Sequence, residues 1–213
     1  GILFGANSTF QVLDTKKSVN SHFMHIGEMK AGMIRVGDEL TAEIDSLRRD
    51  SIMRNAHPEY IRDILTKYIP KETKLILNAD DLICCGIAPE NPRVYFGIEK
   101  MDTDVTDCVN LINDLQICPQ CHRRLEYEYR RYNHIGKAYC PHCGFKAPAY
   151  DYAGCHVDLD KMRIDVRDAA GIGHYRLLNE SIFNIYNVVS AVAVLREIGY
   201  SHAQIEAFFA KLN

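Results

Sequence analysis

The sequence predicts an α/β fold that carries an inserted four-cysteine zinc ribbon and follows a short β-rich segment. Three observations carry this. Between Lys74 and Glu99 a buried-strand pattern, a short helical stretch and a second strand pattern follow one another, the grammar of a parallel sheet. From Ile117 to Phe145, "ICPQCHRRLEYEYRRYNHIGKAYCPHCGF" holds two Cys-x-x-Cys pairs separated by eighteen residues. The first 45 residues read as β, with apolar and polar side chains alternating at period two in Thr9 to Thr15 and Met33 to Asp45, the pattern of half-buried strands.

Along the chain, "TFQVLDT" (Thr9 to Thr15) reads as a strand. "MIRVGDELTAEID" (Met33 to Asp45) places Ile34, Val36, Leu40, Ala42 and Ile44 on alternate positions around a Gly37-Asp38 turn, which signals a hairpin. "SLRRDSIMRNA" is helix-like and basic. Pro58 suits a helix start, with Tyr60, Ile61, Ile64, Leu65 and Tyr68 as its apolar stripe and Pro70 as its stop. "KLILNAD" and "RVYFGIE" are the two strands, and "DLICCGIA" is the short helix between them. The polar stretch Lys100 to Asp107 leads to the cysteines. Cys155 to Asp168 reads as a hairpin. A long helix runs from about Ser181 to Ile198, is stopped by Gly199, and precedes a last helix capped by Ser201.

Composition narrows the function classes. Of 213 residues 47% are hydrophobic, enough for a core, and 25 Lys and Arg against 28 Asp and Glu leave a net charge of −3. Such a balance gives no general attraction to nucleic acid or anionic membrane. No apolar run of transmembrane length exists. The opening "GILFGANSTF" has neither the basic region nor the long apolar core of a signal peptide. Either the protein is cytoplasmic or its start lies upstream; a cytoplasmic location is the expectation. Without a secretory signal, Cys84, Cys85, Cys108 and Cys155 read as reduced thiols.

Cys118, Cys121, Cys140 and Cys143 have the spacing of a structural zinc ribbon: each Cys-x-x-Cys turn aims two thiolates at one point, and two turns close a tetrahedron. A redox Cys-x-x-Cys is the plainer alternative, made less fitting by two pairs at ribbon spacing. His122, Arg123, Arg124, Arg130 and Arg131 alternate with Tyr127, Tyr129 and Tyr132, which could stack on and neutralise a nucleic-acid strand. Glu126 and Glu128 dilute that charge, and a ribbon hairpin yields the same alternation unaided.

"LILNADD", "VYFGIE", "CPQC…YEY…GKAYCPHCGF" and "FNIYNVVSAVAVLREIG" occur in this order. Residues 58–213 thereby resemble the MurT subunits of lipid II isoglutaminyl synthase, Mur-ligase relatives with a zinc ribbon (here 117–146) inserted in the central domain. The resemblance implies a partial Mur-ligase-type central domain. It also implies ATP- and Mg²⁺-dependent amidation of the D-glutamate α-carboxylate of lipid II, through an acyl phosphate, with ammonia from a GatD-type glutaminase partner. Asn184 and Asn187 of "FNIYN" then fall near ATP, and Asp80 and Asp81 of "NADD" at a strand end facing ligand. Read without the family, Asn184 caps or decorates a helix whose core is Ile182, Ile185, Val189 and Val192, and Asp80 or Asp81 is a helix N-cap. Where the family usually has Pro this chain has Leu82.

Residues 1–57, with "GILFGANSTFQVLDTKK…HIGEMKAGMIRVGDELTAEIDSLRRDSIMRNAH", resemble the small β-barrel segment of alanyl-tRNA synthetase, which implies contact with tRNA. That family continues with a zinc-binding His-x-x-x-His; here His57 is followed by Ile61, so the editing site is absent. The join falls between about Ser46 and Tyr60, and the two sides are expected to keep separate cores. The sequence holds no G-x-x-x-x-G-K-[ST] phosphate loop, and the family's C-terminal domain with its catalytic acid is not recognised. The chain is therefore expected to be incomplete as a ligase and to turn over ATP weakly or not at all. Two rivals are an alanyl-tRNA synthetase fragment that touches tRNA and a non-catalytic zinc-ribbon interaction module.

Overall fold

A computed structural model of the protein describes residues 2–6, 9–13, 22–25, 58–107, 116–132 and 135–211. The expected hairpin Met33–Asp45, the basic helix after it and Cys108 lie outside the described residues. The chain divides into two compact units. One takes Gly1–Leu77 and Ile83–Val94, the other Asn78–Leu82 and Tyr95–Asn213.

In the first unit, β1 (Ile2–Ala6), β2 (Thr9–Leu13) and β3 (His22–His25) form an antiparallel meander. β1 also pairs in parallel with β4 (Lys74–Asn78), Ile2 opposite Lys74 and Gly5 opposite Leu77. The sequence reading expected residues 1–45 and residues 74–213 to stand apart; this parallel pairing joins β1 to β4 instead. Leu75, Ile76 and Leu77 are fully buried, which explains an unbroken apolar run rather than an alternating one. Helix α1 (Pro58–Tyr68) buries Leu65. Past its end, the Asn91 amide donates to the carbonyls of Pro70 (2.7 Å) and Thr73 (2.9 Å) and fixes the turn into β4. The short helix α2 (Leu82–Cys85) follows the "NADD" stretch as expected.

In the second unit, β5 (Arg93–Ile98) from Tyr95 onward pairs in parallel with β8 (Tyr152–Asp158). β8 pairs antiparallel with β9 (Arg163–Asp168), confirming the expected hairpin, and β9 pairs with β10 (Gly171–Arg176). β10 was not foreseen, because "GIGHYR" opens on two glycines and carries no apolar alternation. Helix α3 (Ile182–Glu197) packs on β8 and β9, burying Ile185, Val189 and Val192 as expected; Ile182, also expected in that core, is only half-buried in the first turn. Helix α4 (His202–Phe209) packs on β10, and Ser201 and Gln204 form a reciprocal capping box at its start. Arg196 at the end of α3 donates to Asp168 at the end of β9 (2.7 Å). Burial would raise the Asp168 carboxyl, but this bond and the Ala170 amide hold it below its usual range.

β6 (Glu126–Tyr132) and β7 (Ile135–Tyr139) form the ribbon hairpin. Its register shifts between Tyr127 and Arg130 and again before Tyr132. A strand that kept strict alternation would turn every second side chain outward. The irregular register instead leaves three successive side chains inside: Tyr129 and Arg130 are buried, and the Arg131 side chain is only 3% exposed.

Candidate functional site

The four ribbon cysteines converge. Their sulfurs all lie within 4.8 Å of one another, with Cys118 to Cys143 at 3.6 Å and Cys121 to Cys140 at 3.5 Å. Tetrahedral zinc with sulfur ligands requires sulfur–sulfur separations of about 3.8 Å, so the donor set fits such an ion. Two matched turns build the centre. In the first, His122 N donates to Cys118 O (3.0 Å) and Cys118 N to Arg123 O (2.8 Å). In the second, Gly144 N donates to Cys140 O (3.1 Å) and Cys140 N to Phe145 O (2.8 Å). Both turns need a left-handed residue just after the second cysteine: Gly144 has φ 77°, and His122 takes φ 58°. With four thiolates no coordination position is left for substrate, so a metal here holds structure.

Tyr127, Tyr129, Arg130 and Arg131 of the hairpin face inward rather than to a nucleic acid. The Arg130 guanidinium lies 3.8 Å from the centre of the Tyr127 ring, and Tyr127, Tyr129 and Arg130 are buried. Of the hairpin's basic and aromatic set, His122, Arg123 and Arg124 are exposed.

Next to the ribbon lies a buried charged cluster centred on Asp80, which follows β4 and is fully buried. One carboxylate oxygen accepts from Tyr186 Oη (2.7 Å), Ile98 N (3.1 Å) and Arg131 Nη1 (3.2 Å); the other accepts from Tyr150 Oη. Its backbone carbonyl accepts from Gly136 N of β7 (2.9 Å), and its amide donates to Asn78 Oδ1 (3.0 Å). Arg131 uses all its N–H groups. Nε and Nη2 grip the two oxygens of Asp104 (2.8 Å each), Nη2 also reaches the carbonyls of Ile98 (3.0 Å) and Glu99 (2.8 Å), and Nη1 reaches Tyr186 Oη (2.6 Å). Two-pronged pairing to a carboxylate is the strongest geometry a guanidinium has. Burial works against charge on Arg131, yet Tyr186, Asp104 and Asp80 hold it above its ordinary value.

Burial and then the Asp80 charge push the phenols the same way: Tyr129 up to about 12, with Tyr150 and Tyr186 well above the usual tyrosine value. The Tyr129 hydroxyl lies 2.7 Å from that of Tyr150 and donates to Ile98 O (2.9 Å). Gly97 makes room for this: a Cβ there would stand 2.3 Å from the Tyr150 ring.

The residues singled out from sequence are placed as follows. Asp80 is the centre of the buried cluster, its carboxylate engaged by four donors. Asp81 is fully buried just before α2. Asn184, half-buried in the first turn of α3, accepts at Oδ1 from the amides of Leu178 (3.1 Å) and Asn179 (3.4 Å), tying down the loop ahead of the helix. Asn187 is exposed one turn further on. Tyr186, between the two asparagines in sequence, connects α3 to Asp80. Asp104, Tyr150 and Tyr186 were not singled out from sequence, and Arg131 only as part of the basic and aromatic set of the hairpin. The signal for Arg131 was the pair of arginines that ends the alternation of "EYEYRRY"; Tyr186 lay inside "FNIYN" itself.

An open cavity of about 890 Å³ lies past the C-terminal ends of β5 and β8, lined among others by Glu99, Lys100, Asp102, His156 and Asp165. His156, in the left-handed region at φ 48°, contributes to its wall. Asp165 accepts from His174 Nδ1 (2.6 Å) and lies 3.3 Å from His156 Nδ1. The bond to Asp165 raises the His174 pKa.

No family model matches the chain. It is 31% identical over 141 residues to "Lipid II isoglutaminyl synthase (glutamine-hydrolyzing) subunit MurT" of Staphylococcus aureus, covering 65% of this chain and 31% of that protein. With the MurT subunit of Streptococcus pneumoniae it is 30% identical over 152 residues, covering 71% of this chain and 33% of that protein. It is also 37% identical over 81 residues to alanine–tRNA ligase of Methylobacillus flagellatus, 36% of this chain and 9% of that enzyme. Among solved structures, a pseudomurein peptide ligase type C from Methanothermus fervidus matches with TM-score 0.56 and 26% identity, over 73% of this chain and 30% of that one. The chain thus spans about a third of the MurT proteins that it matches, and both resemblances read from sequence are found. Among the described residues no helix is long and apolar enough to cross a membrane.

Proposed function

We propose that this chain carries part of an ATP-dependent carbon–nitrogen ligase of the MurT kind, acting in peptidoglycan-type synthesis. The observation that carries the proposal is the convergence of two comparisons: sequence points to a lipid II isoglutaminyl synthase subunit and structure to a pseudomurein peptide ligase. The reaction would convert the D-glutamate α-carboxylate of lipid II to a carboxamide in the cytoplasm, with nitrogen from a GatD-type glutaminase. ATP and Mg²⁺ would supply activation of the carboxylate.

In this reading the start of α3 meets the nucleotide. Asn187 offers an exposed amide that can both donate to and accept from a purine edge. Asn184 holds the approach loop through Leu178 and Asn179. Asp81 stays with the strand end, and Asp80 serves as the internal anchor of that end. The cavity beyond β5 and β8 is the candidate for the reacting end, since α/β folds take ligands outside the C-terminal ends of parallel strands. The four cysteines would hold Zn²⁺ as a structural ion.

Mixing the chain with a GatD-type glutaminase, nitrogen-labelled glutamine, Mg·ATP and lipid II tests this. Co-elution with the glutaminase is the expected result, with little or no labelled carboxamide, since the chain spans about a third of the MurT proteins. A chain that does not bind the glutaminase refutes the proposal.

The similarity to alanine–tRNA ligase favours one second reading, contact with tRNA through residues 1–57. A gel-shift titration with tRNA decides it: saturable binding that is lost on removing residues 1–57 supports this reading, and its absence discards it.

A further inference from the structure

The ribbon and helix α3 meet in one cluster of directional bonds. The hairpin's own apolar core is small. It consists of Leu125, Tyr127, Ala138 and Ala147 with Leu82 and the cysteines, so its order depends on what the cysteines hold. Both of its strands grip Asp80: β7 through the Gly136 amide on the backbone carbonyl, β6 through Arg131 on the carboxylate. The same guanidinium donates to Tyr186, and Tyr186 donates to Asp80. Apolar contacts through Ile185, Val188 and Val189 seat α3 against its neighbours, but such contacts are non-directional. The bonds that fix the rotation and position of its first turns come from Ser181, Asn184 and Tyr186.

We infer that Arg131 is a positioning residue that couples the four-cysteine metal centre to helix α3, so that a metal-ordered ribbon sets where Tyr186, and with it the Asn184–Asn187 face, is held. A planar guanidinium with every N–H engaged suits this role, because it transmits geometry in a way a flexible ammonium does not. The coupling stands on geometry alone; its consequence for nucleotide rests on the reading in the preceding section.

The test is hydrogen exchange followed by mass spectrometry on the full chain. Tyr186→Phe keeps the ring and removes only the hydroxyl. With metal content unchanged, the amides of Ile182–Glu197 should exchange about tenfold faster, while β9 and β10 keep wild-type rates. Adding a chelator to the wild type should speed α3 before β9 and β10 open, and should add little in Tyr186→Phe. Unchanged exchange of α3 in Tyr186→Phe overturns the inference. So does equal acceleration of α3, β9 and β10, which marks simple loss of stability, and so does chelation that empties the centre with α3 still protected. An ATP titration run alongside separates the two claims: altered exchange without ATP binding in either protein removes the nucleotide reading and leaves the coupling.

Discussion

Replacing Asp80 by asparagine changes the shape of the buried cluster little and its bonding greatly. The carboxylate accepts from Tyr150, Tyr186, Ile98 N and Arg131. An amide offers one acceptor oxygen and puts an NH₂ where the second oxygen was. At least one donor then faces another donor, and Arg131 loses one of its two carboxylates. A buried donor left without an acceptor costs about 1–3 kcal/mol, and removing one partner of a buried ion pair costs about 3–5 kcal/mol. Asp104 still holds Arg131 on two prongs, so we take the lower end, about 3 kcal/mol, which lowers the melting temperature of a chain this size by roughly 6–12 °C. Near-ultraviolet circular dichroism reports the event directly. The chain has twelve tyrosines and no tryptophan, so the signal is dominated by tyrosine, and Tyr129, Tyr150 and Tyr186 sit in this cluster. A variant that melts with the wild type and keeps its tyrosine spectrum would refute the view of Asp80 as an internal anchor.

Other perturbations have equally definite outcomes. Cys140→Ser should reduce bound zinc from near one equivalent per chain and unfold chiefly the ribbon, since binding energy there is local folding energy; elemental analysis showing full retention would contradict the metal assignment. Gly97→Ala puts a Cβ 2.3 Å from the Tyr150 ring and should cost about 1–3 kcal/mol, read as a lower urea midpoint and a changed tyrosine spectrum. Alkaline titration should be biphasic. Tyr129, pushed up to about 12, stays neutral in the fold after an unfolded tyrosine would ionise near 10. Its contribution to stability is therefore complete below about pH 10 and is lost as pH rises through about 12. Exposed phenols should ionise first, and the buried ones together with unfolding; a single smooth titration near 10 would count against the cluster.

Much of the second unit was legible because its signals are local. Ser181, Gly199 and Ser201 marked the ends of α3 and α4, and the cysteine spacing marked the four thiols that converge. What stayed hidden depends on contacts between residues far apart in sequence. The pairing of β1 with β4 spans about seventy residues, and nothing in "ILFGA" specifies a parallel partner. The Asp80 cluster joins residues 80, 104, 131, 150 and 186. The register shift in β6 that turns Tyr129, Arg130 and Arg131 all inward breaks the alternation from which their orientation would have been read. Asn184 shows both layers at once. The plain reading, a side chain that caps or decorates its helix, matches its bonds to Leu178 and Asn179; the proposed nucleotide contact rests on Asn187, one turn on.

The most direct test of the ligase account is saturation-transfer NMR of Mg·ATP with the wild-type chain and with Asn184→Ala/Asn187→Ala, both checked for intact zinc. The account predicts transfer to the adenine protons in the wild type and its loss in the double variant. No transfer in the wild type, or transfer undiminished in the variant, would contradict it.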